Sequence, residues 1–306
     1  MNLNQFHSIS KKITVALLGG FLLIFVLFHA GANLCILRND DGAWYSAFCH
    51  FMGTNYIVKV FEVILMATVF FHICLTLWLA YTNYKARGTV RYHHASKTKT
   101  HTGSKLMTWT GGFLLVLLVM HFCDFYFVKL GWVEGKYMVK TEEINKIAQD
   151  ENAMTMLQVA QYADVDEYLN NLEKTDTQKA AKLREYIPLV DVIKNMESKL
   201  SEDKKYMKNL SVEEKEALSV INGVDVEPDF YTMARGKFKT LWVSVLYLIL
   251  FALLWFHLRH GFPSVFQTLG WNNYTYSKAI DVIGICYACL VFLMFAAVPI
   301  GVYFFL

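Results

Sequence analysis

Four histidines stand inside long apolar runs: His29, His72, His121 and His257. An ionisable ring in such a run is costly to hold in lipid, and residues of this kind tend to be functional. Neutral imidazole is a good axial ligand for haem iron, and two rings facing each other across a helical bundle fill both axial positions. An iron held that way passes electrons and does not bind oxygen. One such histidine alone is more simply a polar residue bonded to a neighbouring helix. Four of them, one in each of four apolar runs, ask for a common account.

The elements that would position them are helices. The chain has 306 residues, 55% of them hydrophobic and 15% aromatic, values that belong to a membrane class rather than a soluble domain. Spanning a hydrocarbon core of about 30 Å takes about 20 apolar residues in a helix. Five stretches qualify: Ile13–Ile36, Ile57–Tyr81, Met107–Val128, Thr240–His260 and Ala279–Phe305. The first is too long for a signal-peptide core and reads as a retained anchor. The pattern predicts an all-α membrane protein with five transmembrane helices, the first four forming a di-haem four-helix bundle. Residues 1–130 would hold helices one to three and residues 239–306 helices four and five. Between them, 131–238 would form a helical extracytoplasmic insert.

That insert is rich in Glu, Asp and Lys, and it shows apolar residues at helical spacing over Leu157–Leu172, Gln178–Leu200 and Val212–Ile221. A small helical domain is expected, an antiparallel hairpin being the simplest form. Its apolar content is thin for folding alone, so it should lean on the membrane turns or on a partner. Of the six cysteines, Cys74, Cys123, Cys286 and Cys289 fall inside apolar runs and form no secreted disulfide framework. The Cys286-x-x-Cys289 spacing reads as packing, because free Cys behaves as a small hydrophobe. No nucleic-acid partner is expected.

Lys and Arg in the short loops set the direction of the spans. Lys11 and Lys12 precede the first span. The loop after the second carries Lys85, Arg87, Arg91, Lys97, Lys99 and Lys105 with no acid, and Arg259 and Lys278 bracket the last turn. The first turn offers only Arg38 against Asp40 and Asp41. The N-terminus, the basic loop and the last turn are therefore expected to be cytoplasmic, and the insert and the C-terminus extracytoplasmic. With these directions, His29 and His121 fall roughly 24 and 21 Å from the cytoplasmic ends of their helices, and His72 and His257 roughly 13 and 5 Å. The four sort into an outer pair, His29 with His121, and an inner pair, His72 with His257. Gly19 and Gly20 in the first span, and Gly111 and Gly112 in the third, lie near the inner level at roughly 6–11 Å. Glycine there would let a porphyrin approach the backbone, although ordinary small-residue helix packing would also use it. His93, His94 and His101 belong to the basic loop and read as solvated, and His260 as interfacial.

Several motifs carry a resemblance. His257-Leu-Arg-His-Gly-Phe-Pro-Ser-Val-Phe-Gln-Thr-Leu-Gly270, Ser104-Lys-Leu-Met-Thr-Trp-Thr-Gly111, His121-Phe-Cys-Asp-Phe125 and His29-x-x-x-Asn33-Leu34 resemble the di-haem cytochrome b anchors of succinate:quinone oxidoreductases, the succinate dehydrogenases and quinol:fumarate reductases. The resemblance covers nearly everything except the insert. It implies two haem b groups, one held by His72 and His257 and the other by His29 and His121. It also implies a flavoprotein subunit with FAD and an iron–sulfur subunit docked on the cytoplasmic side of a bacterial inner membrane, with a dimer of the whole complex as an option. The redox partner in lipid would be a quinone, menaquinone in the branch with His-Phe-x-Asp-Phe. Two features depart from the family. The insert exceeds the usual connection, and Trp255 stands where one quinol:fumarate reductase branch has a proton-carrying Glu.

Quinone chemistry needs protons as well as electrons, so an acid or a histidine should lie near the headgroup. Glu62, Asp124 and His50 are the candidates for an outer quinone site. Asp124 could instead orient a ligand or bond to a neighbouring helix. Arg87, Arg91 and Lys105 could meet haem propionates, although the positive-inside rule explains them equally. Two other readings remain at this point. One is the di-haem subunit of a formate dehydrogenase or hydrogenase. The other is a transporter whose histidines relay protons.

Overall fold

A computed structural model describes residues 3–87, 102–200 and 206–306. In chain order the elements begin with α1 (Leu3–Asn33), α2 (Ala43–Thr54), α3 (Tyr56–Arg87) and α4 (Thr102–His121), then a π-helical turn (Phe122–Tyr126) and a last helical turn α5 (Phe127–Lys129). There follow β1 (Tyr137–Lys140), α6 (Thr141–Ile144), α7 (Glu151–Tyr162), α8 (Val165–Glu173), α9 (Thr177–Arg184), α10 (Ile187–Lys194) and β2 (Tyr206–Leu210). The chain ends with α11 (Val212–Ser219), β3 (Val226–Pro228), α12 (Phe230–Phe238), α13 (Leu241–Thr268) and α14 (Ser277–Phe305).

Five helical stretches are long and apolar enough to cross a membrane: Ile9–Leu37, Tyr56–Ala86, Leu106–Lys129, Leu241–Thr268 and Ser277–Phe305. Exposed aromatics gather near their ends, among them Trp78, Tyr81, Trp109, Trp242 and Trp271, as the water–lipid interface favours. Two boundaries differ from the sequence reading. The fourth span does not stop at His260 but runs on through Pro263 to Thr268. One missing N–H is tolerated where a neighbouring helix lies alongside, and α14 packs along α13, with the Phe262 and Tyr287 rings 5.2 Å apart. The connection between the first two spans is not a short polar turn, because it contains the twelve-residue helix α2.

The described residues form two compact units. One comprises Met1–Leu37, Phe51–Met120 and Phe238–Leu306. Its tight centre joins α1, α13 and α14 through buried Ala30, Leu258, Ala288 and Val291, with Leu23, Leu254 and Phe295 against them. The Tyr287 hydroxyl donates to the Leu23 carbonyl at 2.6 Å, tying α14 to α1. α3 packs on α1, and the Lys11 ammonium sits 5.5 Å from the centre of the Trp78 ring.

The other unit comprises Arg38–His50 and His121–Lys237. The sequence reading of a purely helical insert needs correction here. Short helices surround a three-stranded antiparallel sheet in the order β2-β1-β3. β1 is four residues long and buried along its first three, too short and too uniformly covered to show an alternating pattern. Two of the expected helices are broken. Asp164 accepts the N–H groups of Asp166 and Glu167 and starts α8 afresh, and Pro188 sits in the first turn of α10, where its missing N–H does no harm. The apolar residues, few as they are, converge on the sheet. Val139, Leu169, Leu183, Leu189, Met207, Leu210 and Leu218 are all at most 1% exposed, each contributing about 1.5–3 kcal/mol on burial.

The segment Arg38–His50 is held in this unit by a buried cation. Lys208, 7% exposed, donates to the Asp41 carbonyl and lies 3.5 Å from its carboxylate. The turn it grips has Asp41 at φ 49° and Gly42 at φ 72°. A Cβ on Gly42 would stand 2.3 Å from the Tyr231 ring. Gly42→Ala should therefore lower stability by on the order of 3 kcal/mol, from left-handed strain plus overpacking. Gly236→Ala, with nothing within 4 Å of its added carbon among the described residues, should be nearly neutral. Thermal unfolding of the detergent-purified variants checks this, and equal melting temperatures would contradict it.

Candidate functional site

The α3 helix carries His72 into the first unit. Its Nδ1 is buried and has no hydrogen-bond partner among the described residues. A buried polar nitrogen left unpaired costs about 1–3 kcal/mol, so its position calls for a ligand or a role. Gly19 of α1 faces the same ring, and a Cβ added there would lie 3.5 Å from the His72 Cε1. On α13, His257 has the Thr110 hydroxyl of α4 3.4 Å from its Nδ1. That hydroxyl also reaches the carbonyls of Leu106 and Met107 within α4. Gly111 faces the His257 ring as Gly19 faces His72, its added Cβ falling 3.8 Å from Cε1. One glycine from each of α1 and α4 thus lies beside one imidazole from each of α3 and α13. Gly20 faces Val265 instead, and Gly112 has nothing within 4 Å among the described residues.

His29 lies on α1 among aromatics, stacked on Phe25 at 5.3 Å and tilted against Phe295 at 5.9 Å. Asn33, one turn on, donates to the His29 carbonyl at 2.7 Å and lies 3.5 Å from its Nε2. His121 closes α4, with the Phe125 ring 5.2 Å away and the π-helical turn immediately after it. His29 and His121 fall in different compact units.

Helix spacing distinguishes the pairs. α1 packs closely on α3, α13 and α14, and α13 on α14. Among the described residues, α3 does not pack closely on α13, nor α1 on α4. These wider gaps separate the helix that carries His72 from the one that carries His257, and the helix of His29 from that of His121. The second and third spans have only 6% of their most apolar window covered by the chain, against 33% for the fourth and fifth. The fourth and fifth are thus buried by each other and by α1.

The three acid–base candidates have different surroundings. Glu62 is half-buried in the second turn of α3. Asp124, inside the π-helical turn, accepts from the Lys237 ammonium at 2.6 Å. His50 lies between Glu227, 2.5 Å from Nδ1, and Lys140, 2.7 Å from Nε2. The ring thus bridges a carboxylate and an ammonium from two other elements. His50 and Asp124 are thereby built into the insert unit. Their partners lie 177, 90 and 113 residues away in sequence, and no local pattern points to them.

Trp255 donates through Nε1 to the Cys289 sulfur at 3.3 Å, and the Arg259 guanidinium lies 5.2 Å from its ring centre. Cys286 and Cys289 are free thiols. Among the described residues, no three His, Cys, Asp or Glu side chains converge as a metal-binding group. Arg91, Lys97, Lys99, His93, His94 and His101 lie outside the described residues, and of Arg87 and Lys105 only the backbone is described. No family model, curated protein or solved structure matches this chain.

Proposed function

We propose that this chain is the di-haem cytochrome b anchor of a succinate:quinone oxidoreductase. The observation that carries the reading is the buried, unpartnered His72 nitrogen beside Gly19, set where α3 stands off from the helix of His257. These residues fit a porphyrin. Two imidazoles would supply ligand nitrogens to the iron, and one glycine lies beside each ring, where the backbone allows close approach. His72 and His257 would hold the inner haem, and His29 and His121 the outer one. Bound there, the haems supply one-electron carriers between a cytoplasmic iron–sulfur subunit, itself served by an FAD flavoprotein, and quinone in the membrane.

The remaining work falls to the chain. Thr110 beside His257 and Asn33 beside His29 hold their imidazoles in place, the role that outer-shell hydrogen bonds commonly play for metal ligands. Apolar helices exclude water from the path. Glu62 would exchange the quinone proton at the outer side. With Trp255 bonded to Cys289 in place of a carboxylate, helix α13 offers no acid at that position for a compensating proton. Turnover would then move charge across the membrane, at about 2.3 kcal/mol per charge per 100 mV for a full crossing.

Replacing His72 or His257 by Ala should reduce two haems per chain to one and remove the same haem in both cases. His29→Ala and His121→Ala should remove the other. Difference spectra of the purified complex check this, and loss of the same haem from His29→Ala and His72→Ala would contradict the pairing. Gly19→Leu, which pushes a branched side chain at the His72 ring, should abolish the inner haem and spare the outer. Retention of both haems would show that the glycine is ordinary packing. Glu62→Gln should keep both haems yet lower quinone-linked succinate oxidation by about 100-fold, with dye-linked activity in the soluble subunits intact. Full quinone activity would remove Glu62 from the site. A co-purifying flavoprotein separates this reading from a formate dehydrogenase or hydrogenase subunit.

A further inference from the structure

The π-helical turn Phe122–Tyr126 follows His121 without a break, closed by the Phe127 N–H donating to the Phe122 carbonyl. Such a turn inserts one extra residue into a helix, and it persists where surrounding contacts over-determine it. Here the contacts come from α12. The Lys237 ammonium donates to the Asp124 carboxylate, which is 15% exposed, at 2.6 Å. The Phe125 ring lies 6.5 Å from Phe230 and joins the core of the insert unit. The same Phe125 ring is 5.2 Å from the His121 imidazole.

α12 is itself anchored. Asp229, fully buried, accepts the Thr232 N–H at 3.0 Å and the Asn209 N–H at 3.2 Å, and its own N–H donates to the Lys136 carbonyl at 2.8 Å. A continuous set of contacts therefore runs from the sheet through Asp229 and α12 to Asp124 and Phe125, and from there to His121. We propose that the insert sets the orientation of the His121 imidazole, and that Lys237 and Asp124 are the positioning residues. The proposal rests on the haem reading above for its consequence, since His121 would be an axial ligand. It gives the insert a role that its length and charge alone do not. Without the ion pair, the turn can relax toward α-helical geometry and re-aim the residues on either side of it.

The test uses Lys237→Met, Asp124→Asn, the double variant and Lys237→Arg in the intact complex. Amide exchange over residues 122–127 should rise by about tenfold in Lys237→Met and Asp124→Asn, as expected of a loosened local opening. It should rise no further in the double variant, because the two side chains act as one unit, and should return toward the parent rate in Lys237→Arg. In the low-temperature paramagnetic resonance spectrum of the oxidised protein, the signal of one haem should shift. That haem should be the one His121→Ala removes, and the other signal should stay put. Unchanged exchange, or equal shifts in both haem signals, would overturn the positioning role. Changed exchange in a protein that proves to hold no haem would overturn the haem reading, and with it the ligand-orienting consequence.

Discussion

An imidazole inside a lipid-spanning helix must find a partner for its ring nitrogens, because the hydrocarbon around it offers none. Four of the five spanning helices carry one, and the surroundings of each ring differ in ways that the sequence pattern cannot show. Asn33 and Thr110 sit beside His29 and His257. Aromatic rings surround His121. One nitrogen of His72 is buried without a partner among the described residues. The rest of the membrane unit can be understood as the scaffold that makes such an arrangement tolerable. α1 supplies tight packing with α3, α13 and α14, and α13 with α14.

The division of labour among the helices follows from their residues. Ala30, Ala288 and Val291 are small or β-branched, and they let α1, α13 and α14 come close. Gly19 and Gly111 serve a different end, because the nearest thing to each is an imidazole carbon on another helix.

Much of this was legible in the sequence. Hydropathy and length gave five spans, and counting residues along them put Gly19 and Gly111 near the level of His72 and His257; each glycine lies beside one of those rings. What escaped was whatever depends on long-range partners or on context. The helix that continues through Pro263 reads locally as a helix end. The four-residue strand Tyr137–Lys140 is too short for a period. Lys208, a cation on a strand, gives no hint that it is buried against Asp41. His50 and Asp124 read as acid–base candidates because their types invite it, and only the fold shows Lys140, Glu227 and Lys237 beside them. The insert looked thin in apolar residues because composition counts them without showing that they converge on one sheet.

The proposal that the four histidines hold iron porphyrin can be tested on the native protein. Its most direct measurement is the reduced-minus-oxidised spectrum of the unaltered protein purified with its partners, with haem and protein quantified on the same sample. The account predicts b-type bands and two haems for each 306-residue chain, resolved as two components by redox titration. A correctly inserted protein with no haem bands would contradict it, and the four histidines would then need to be read as a proton path.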